Sequence, residues 1–180
     1  YSVGHPALSP DGNTLYFVSD MPGGKGASDI YKVSIDSKGT FGSPESLGGN
    51  INTEGKEVFP YIDSNGALYF SSNGHQGLGG LDGFYSEANS ENGFSDPVNL
   101  GNGANSTDDD FAFIYDPNTK TGFMSSNRKG GKGSDDIYAI TGIEPPCAIT
   151  IDATIIDEYS KAPISGVRVD LFDTSENKLS

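Results

Sequence analysis

The residues SPDGNTLYFVSD, at positions 9–20, occur in this chain three times in slightly different form. The other two copies are DSNGALYFSSN at 63–73 and DPNTKTGFMSSN at 116–127. Each copy places a polar turn before an apolar stretch that ends in a serine and a polar residue. Phe17 and Phe70 mark the same point in the first two copies, 53 residues apart. A period of this size predicts a repeat architecture, in which each repeat packs on its neighbours.

The period extends beyond these copies. Tyr31, Tyr85 and Tyr138 follow one another at spacings of 54 and 53 residues, which suggests that they are equivalent. A second pattern, Phe-x-x-Pro-x-x-Leu, occurs at 41–47 and again at 94–100. The third repeat never supplies it, because the chain continues from Tyr138 into Pro-Pro-Cys without these residues.

The composition excludes several classes of function. The net charge of −14 argues against binding to nucleic acid or to anionic lipid, since both need Lys and Arg on the protein. The single cysteine, Cys147, excludes an internal disulfide framework and a multi-cysteine zinc site. With 25 glycines, no tryptophan and aromatic residues that are all Tyr or Phe, the chain suits short strands joined by many turns.

Each repeat reads as four short strands separated by turn residues. The third strand of every repeat begins with an aspartate that follows a glycine-rich loop. A four-stranded unit of this length is typical of a β-propeller blade. The predicted strands are 5–8, 15–19, 29–31 and 44–47 in the first repeat, 58–62, 68–72, 82–85 and 97–100 in the second, and 111–115, 123–126 and 136–138 in the third.

The predicted fold is therefore all-β: a partial propeller of about three blades, the last one incomplete, followed by the start of a β-sandwich. Residues 1–142 form the blades, 143–147 a linker and 148–180 the opening of the second domain. We expect the missing outer strand of the third blade to come from upstream sequence, because three blades are fewer than a closed ring needs.

Motifs for catalysis are weak in this sequence. The glycine-rich loops lack the Ser or Thr after lysine, and the helix, that a phosphate-binding loop requires. The stretch at 9–14 resembles a sialidase Asp-box, but Asp11 and Gly12 are adjacent where that motif separates them. No pair of carboxylates stands out for glycoside hydrolysis, and no nucleophile elbow is present. The sequence predicts no catalytic residue and no cofactor.

Two sets of aspartates invite comparison with calcium sites. Asp108, Asp109 and Asp110 are weak candidates, because they are consecutive where calcium loops space their ligands. Asp29, Asp82 and Asp136, which open the third strands, are more consistent with carboxylates that accept hydrogen bonds from amides of their own loops. No metal site is predicted.

Few basic or nucleophilic residues remain as candidates. We expect His5 and His75 to lie on the surface or between blades, since neither belongs to a metal-binding or catalytic motif. The positive charge of Arg128, Lys129 and Lys132 is offset by the aspartates that follow them. Cys147 has no adjoining positive group to lower the pKa of its thiol, which favours a buried thiol or a partner for a cysteine outside this chain over a nucleophile.

The strings HPALSPDGNTLYF, at 5–17, and SDIY, at 28–31, resemble the WD40-like repeat of TolB-type propellers. The stretch PISGVRV, at 163–169, resembles the hallmark of a carboxypeptidase-regulatory-like sandwich. Together they are similar to Bacteroidota proteins of the OmpA family, including PorE-like components of the type IX secretion system. The resemblance implies a periplasmic protein associated with the outer membrane. It implies contact with peptidoglycan only through a domain outside this chain.

The sequence therefore favours a non-catalytic scaffold whose partners are envelope proteins, with the loops at 20–28, 73–81 and 127–135 as the binding surface. The alternatives are a propeller-type carbohydrate-active enzyme and a module that binds calcium or sugar. The residues predicted to shape the surface or to interact are Asp29, Asp82, Asp136, Lys25, His75, Arg128 and Lys132.

Overall fold

The structure is a computed structural model of the chain, and its contacts divide the chain into two units, Tyr1–Pro146 and Cys147–Ser180. The described part of the chain contains strands and turns, and it includes no helix of the length and hydrophobicity needed to cross a bilayer. The described residues are 1–89, 93–143, 154–157 and 159–166.

The first unit contains three antiparallel sheets that follow one another along the chain. In each sheet the strands lie in chain order, so that every connection is a hairpin. The first and second sheets have four strands, and the third has three among the described residues. The all-β fold with an incomplete third repeat is therefore confirmed. The strands are β1 (Val3–Leu8), β2 (Thr14–Ser19), β3 (Asp29–Ser34), β4 (Glu45–Ser46), β5 (Glu57–Ile62), β6 (Leu68–Ser72), β7 (Asp82–Ser86), β8 (Val98–Asn99), β9 (Asp110–Asp116), β10 (Thr121–Ser126) and β11 (Asp136–Thr141).

The hairpin turn between the first two strands of each sheet has a residue with positive φ. Gly12 has φ 73° and Gly66 has φ 85°, which glycine adopts without steric penalty. In the third repeat Lys120 takes this conformation with φ 53°. The turn geometry is therefore preserved although the third copy has lost its glycine.

The strand registers correct one equivalence in the sequence analysis. Tyr31 lies opposite Phe17 in the first sheet, and the matching pair in the second sheet is Phe84 opposite Phe70. The residue equivalent to Tyr31 is therefore Phe84, and the assignment of Tyr85 was wrong by one position. Because side chains alternate along a strand, this shift places Tyr85 on the opposite face of its sheet.

The first strands of neighbouring sheets lie side by side, and each contains the same irregularity. His5, Phe59 and Ala112 occupy equivalent positions and have φ of 49°, 52° and 56°. The pairing registers of β1 and β5 shift around these residues, as in a β-bulge. The ring of His5 stacks on that of Phe59 at 3.9 Å, and Phe59 lies 5.3 Å from Phe111. These ring contacts connect β1 to β5 and β5 to β9.

Two hydrophobic clusters fill the spaces between the sheets. The first cluster packs Val18 and Ile30 of the first sheet with Leu68 and Phe70 of the second. The second cluster packs residues of the second and third sheets, including Tyr69 against Tyr115 with ring centroids 5.9 Å apart. The second sheet thus packs one face against the first sheet and the other face against the third, which is the packing of propeller blades.

The second unit is described only in part. Ile156 pairs with Pro163, and the amide of Ile164 donates to the carbonyl of Ile155 at 2.9 Å, which forms a short hairpin. Cys147 and the greater part of the predicted strands at 148–157 and 167–173 lie outside the described residues. The proposed linker and the sandwich remain predictions from the sequence.

Candidate interaction loops

The loops at 20–28, 73–81 and 127–135 join the second strand of each sheet to the third. We call them the rim loops. Because they occupy equivalent positions in three neighbouring sheets, they emerge at the same end of the strands. The hairpin turns of the first two strands emerge at the other end.

The first rim loop folds around the carboxylate of Asp29, which is 1% exposed. The amide of Lys25 donates to both carboxylate oxygens at 3.0 Å, and the amide of Gly26 donates to Oδ2 at 3.1 Å. A carboxylate accepts such bonds strongly because it carries a full negative charge. Asp29 therefore holds the loop from inside.

The other two rim loops repeat this arrangement. Oδ2 of Asp82 accepts two amide hydrogen bonds at 2.8 and 3.0 Å, and Oδ2 of Asp136 accepts two at 2.7 and 3.0 Å. Asp82 is buried, whereas Asp136 is half-buried. The donors are Leu78 and Gly79 for Asp82, and Lys132 and Gly133 for Asp136.

A glycine in each rim loop makes room for the carboxylate. A Cβ atom added to Gly24, Gly77 or Gly131 would overlap Oδ2 of the aspartate in the same loop. These glycines recur at spacings of 53 and 54 residues. The glycine content of the loops therefore has a steric cause, and it does not indicate phosphate binding.

Sequence reasoning missed a pair of buried asparagines that join the sheets' outer strands to their third strands. Oδ1 of Asn52 accepts from the amide of Ile30 at 2.8 Å, and its Nδ2 donates to the carbonyl of the same residue at 2.9 Å. Asn105 makes the same two bonds to Gly83, at 2.7 and 2.9 Å. Their 53-residue spacing is the signal that would have identified them.

Sequence reasoning also missed two buried carboxylates, which belong to the first residues of β5 and β9. Glu57, fully buried, accepts from the amide and hydroxyl of Thr53 at 2.8 and 2.6 Å and from the hydroxyl of Ser72 at 2.7 Å. At the equivalent position Asp110 accepts from the amide of Ser106 and pairs with the guanidinium of Arg128, each at 2.5 Å. Both carboxylates anchor the segment that connects two sheets.

His75 and Arg128 lie one position apart when the repeats are aligned, and both bind the segment between sheets. Nε2 of His75 lies 2.7 Å from the carbonyl of Ile51, while Nη2 of Arg128 donates to the carbonyl of Ala104 at 2.5 Å. The guanidinium also lies 5.0 Å above the ring of Tyr138. The polar groups of these two side chains, which the sequence predicted to interact with partners, are therefore engaged by other residues of this chain.

The accessible side chains of the rim loops are fewer than the sequence suggested. Nζ of Lys25 lies 3.3 Å from the carbonyl of Gly49, so this lysine leans on the neighbouring segment. Lys132 is exposed, and Leu78 is 50% exposed. We expected the aspartates that follow Arg128 in the sequence to offset its positive charge. Its guanidinium instead forms an ion pair with Asp110.

Two of the three weak calcium candidates have different side-chain partners. Asp110 pairs with Arg128, as described above. Asp109 accepts from the amide of Leu81 at 2.8 Å and from the side chain of Asn127 at 3.1 Å. Within the described ranges, no three His, Cys, Asp or Glu side chains converge as metal ligands.

Comparisons with known proteins support the fold. No protein-family model and no curated protein matches the chain. Among solved structures, the chain is similar to TolB from Acinetobacter baumannii, with a TM-score of 0.52 and 19% sequence identity. The match covers 78% of this chain and 30% of the TolB chain, so this chain spans less than a third of that protein. The likeness establishes a TolB-like β-propeller fold.

Proposed function

We propose that this chain is part of a non-catalytic periplasmic scaffold that binds other envelope proteins through its rim loops. The observation that carries the proposal is the repeated aspartate beneath each loop. Loops held from inside by two or three hydrogen bonds present a pre-organised surface, which lowers the entropy lost on binding. The resemblance to TolB-type propellers supports the periplasmic location.

A more specific proposal follows from the second unit, whose sequence at 163–169 resembles a carboxypeptidase-regulatory-like sandwich. We propose that the protein is associated with the outer membrane as a member of the OmpA family. In that setting it would connect an envelope machine, such as the type IX secretion system, to the cell wall. Contact with peptidoglycan would be made by a domain outside residues 1–180.

The use of the carboxylates favours a scaffold over a glycosidase. Retaining and inverting glycosidases use a pair of carboxyl groups on either side of the bond that is cleaved. In the first unit, Asp29, Asp82, Glu57 and Asp110 are all buried, and each accepts hydrogen bonds from loop or linker groups. Their positions suit holding the backbone.

The test is capture of envelope proteins by the full-length protein, compared with a double variant, Leu78→Ser with Lys132→Glu. The matched control is Lys38→Glu, in the exposed turn at the other end of the strands. We expect the double variant to lose a specific partner that the control retains. Equal capture by both variants would contradict binding through the rim loops.

A calcium-binding module makes a different prediction that is simple to measure. If calcium stabilised the rim loops, EDTA would lower the melting temperature of the protein. The scaffold proposal expects no change on addition of EDTA or of calcium. A shift of several degrees would favour the alternative.

A further inference from the structure

The chain contains Asn-Gly pairs at 65–66, 73–74, 92–93 and 102–103. In such a pair the backbone nitrogen of the glycine can attack the carboxamide carbon of the asparagine, because glycine has no Cβ to hinder the approach. The reaction, deamidation, converts the asparagine to aspartate or isoaspartate. Asn92 lies outside the described residues, so the structure shows the surroundings of the other three pairs.

In the pairs at 65–66 and 73–74 the attacking nitrogen is held in a hydrogen bond. The amide of Gly66 donates to a carbonyl of its own hairpin turn at 3.0 Å, and the amide of Gly74 donates to the hydroxyl of Ser72 at 3.0 Å. Attack requires loss of the amide proton, and a hydrogen bond within the fold slows that loss. The carboxamide of Asn73 is also held, since its Oδ1 accepts from the amide of Lys56 at 2.8 Å.

The pair at 102–103 has no such restraint. Both residues are exposed, and within the described part of the chain neither the carboxamide of Asn102 nor the amide of Gly103 has a hydrogen-bond partner. A Cβ atom added to Gly103 would meet nothing within 4 Å, so the backbone has room to rearrange for the attack. The equivalent of Asn102 in the first repeat is Gly49, so the fold does not require a side chain at this position.

Asn102 lies in the tight turn that positions the buried side chain of Asn105. The carbonyl of Gly101 closes this turn, because it accepts from the amides of Ala104 and Asn105 at 3.1 and 2.7 Å. The carboxamide of Asn105 binds both the amide and the carbonyl of Gly83 in β7, at 2.7 and 2.9 Å. We call these two bonds between Asn105 and Gly83 the asparagine clamp. The main chain from 101 to 105 therefore sets the position of the clamp.

We propose that Asn102 is a site of spontaneous deamidation and that its isoaspartate product loosens the asparagine clamp. The nitrogen of Gly103 forms a bond to Cγ of Asn102 and ammonia leaves, which gives a five-membered succinimide ring. Water then opens the ring. Opening at the former side-chain carbonyl gives aspartate, whereas opening at the main-chain carbonyl gives isoaspartate. Each conversion consumes a water molecule and releases ammonia.

Isoaspartate adds a methylene group to the main chain between positions 102 and 103. The hydrogen bonds from Ala104 and Asn105 to Gly101 span only this short segment, so a longer main chain disrupts them. The carboxamide of Asn105 then moves away from Gly83, whose buried amide loses its acceptor. The aspartate product keeps an ordinary main chain and leaves the clamp intact. This inference does not depend on the scaffold proposal.

The first test follows deamidation of the folded 180-residue chain at mildly alkaline pH by peptide mass spectrometry. Each Asn-Gly pair is measured separately from the mass that is gained when the NH2 of the carboxamide is replaced by OH. We expect Asn102 to be modified before Asn65 and Asn73. In urea the three sites should react at similar rates, because only the folded surroundings distinguish them.

Gly103→Ala is the matched chemical control. Its methyl group hinders the attack on Asn102 but meets no atom of the fold. We expect Asn102 to stay unmodified in this variant over the period in which the parent chain is converted. Two results would overturn the proposal: equal conversion of Asn102 in parent and variant, or conversion of Asn102 no faster than that of Asn65 and Asn73 in the folded chain.

The effect on the clamp is measured on the isoaspartate form, separated by chromatography. It is compared with the variant Asn102→Asp, which carries the same charge on an ordinary main chain. We expect the isoaspartate form to show faster hydrogen exchange at the amide of Gly83 and a lower melting temperature than the variant. Equal exchange at Gly83 in the two proteins would show that the modification does not reach the clamp, and would overturn that part of the proposal.

Discussion

At the scale of single residues, the fold depends on buried polar groups that repeat. A buried carboxylate is tolerated only when hydrogen bonds replace its water, and Asp29 and Glu57 each have three. The glycine opposite each third-strand aspartate exists because a Cβ would occupy the space of the carboxylate oxygen. Aspartate and glycine in each rim loop therefore form one structural unit.

We expect Gly77→Ala to destabilise the protein by about 1–3 kcal/mol, because its methyl group would displace the buried carboxylate of Asp82. The matched control is Gly103→Ala, where an added Cβ meets nothing within 4 Å. Denaturant unfolding should show a change within about 0.5 kcal/mol for the control. Equal effects of the two substitutions would contradict the steric explanation.

The exposed turn at 9–14 offers a test by titration. The hydroxyl of Ser9 and the amide of Asn13 donate to Asp11 and lower the pKa of its carboxyl below the ordinary value for aspartate. The contribution of these hydrogen bonds to the stability of the folded protein is fully present above the ordinary pKa of aspartate. It is lost as the pH falls through the lower pKa that Asp11 has in the folded state. In a carboxyl NMR titration, Ser9→Ala should raise the pKa of Asp11, and an unchanged midpoint would contradict the assignment.

At the scale of strands and loops, the first two sheets are each completed by a short outer strand and the asparagine that follows it. The carboxamide of Asn52 replaces a strand residue by satisfying both backbone groups of Ile30. This device lets a two-residue strand cover the edge of a six-residue one.

We expect Asn52→Ala to destabilise the protein by about 1–3 kcal/mol, because it leaves the buried amide of Ile30 without a partner and removes one of the two hydrogen bonds to its carbonyl. Asn65→Ala is the control, since Asn65 is exposed in a hairpin turn. Thermal unfolding of both variants measures the difference. Equal melting temperatures of the two variants would contradict this role of Asn52.

The rim loops should respond to loss of the aspartate beneath them. In Asp29→Ala the amides of Lys25 and Gly26 lose their acceptor, so hydrogen exchange in residues 22–28 should accelerate. Asp96→Ala, at an exposed position, serves as the control. Unchanged exchange in the loop would show that the carboxylate does not hold it.

The sequence was informative where a residue type has a local effect. Strand order, turn positions and the aspartate that opens each third strand follow from alternation, turn residues and the 53–54-residue period. The equivalence of Tyr85 was misjudged because an aromatic residue occupies both faces of β7 at that point, so only the register distinguishes them. Asn52 was missed because its partner Ile30 lies in a distant strand, and Glu57 was missed because a glutamate at a strand start does not by itself reveal its bonds to Thr53 and Ser72.

At the scale of the first unit, stability comes from apolar faces pressed between successive sheets. Leu68 and Phe70 are fully buried because the first sheet covers them. The outer faces of the first and third sheets keep Val3, Phe123 and Ile137 more than half exposed. Tyr69 and Ile30, the equivalents of Phe123 and Ile137, face a neighbouring sheet and are buried.

The most direct test of this arrangement is a nuclear Overhauser measurement with selectively labelled tyrosine and phenylalanine. We predict cross-peaks between the rings of Tyr16 and Phe94, which join the first and second sheets, and between those of Tyr69 and Tyr115, which join the second and third. Ring signals that show contacts only within their own sheets would contradict the packing of three sheets as adjacent blades.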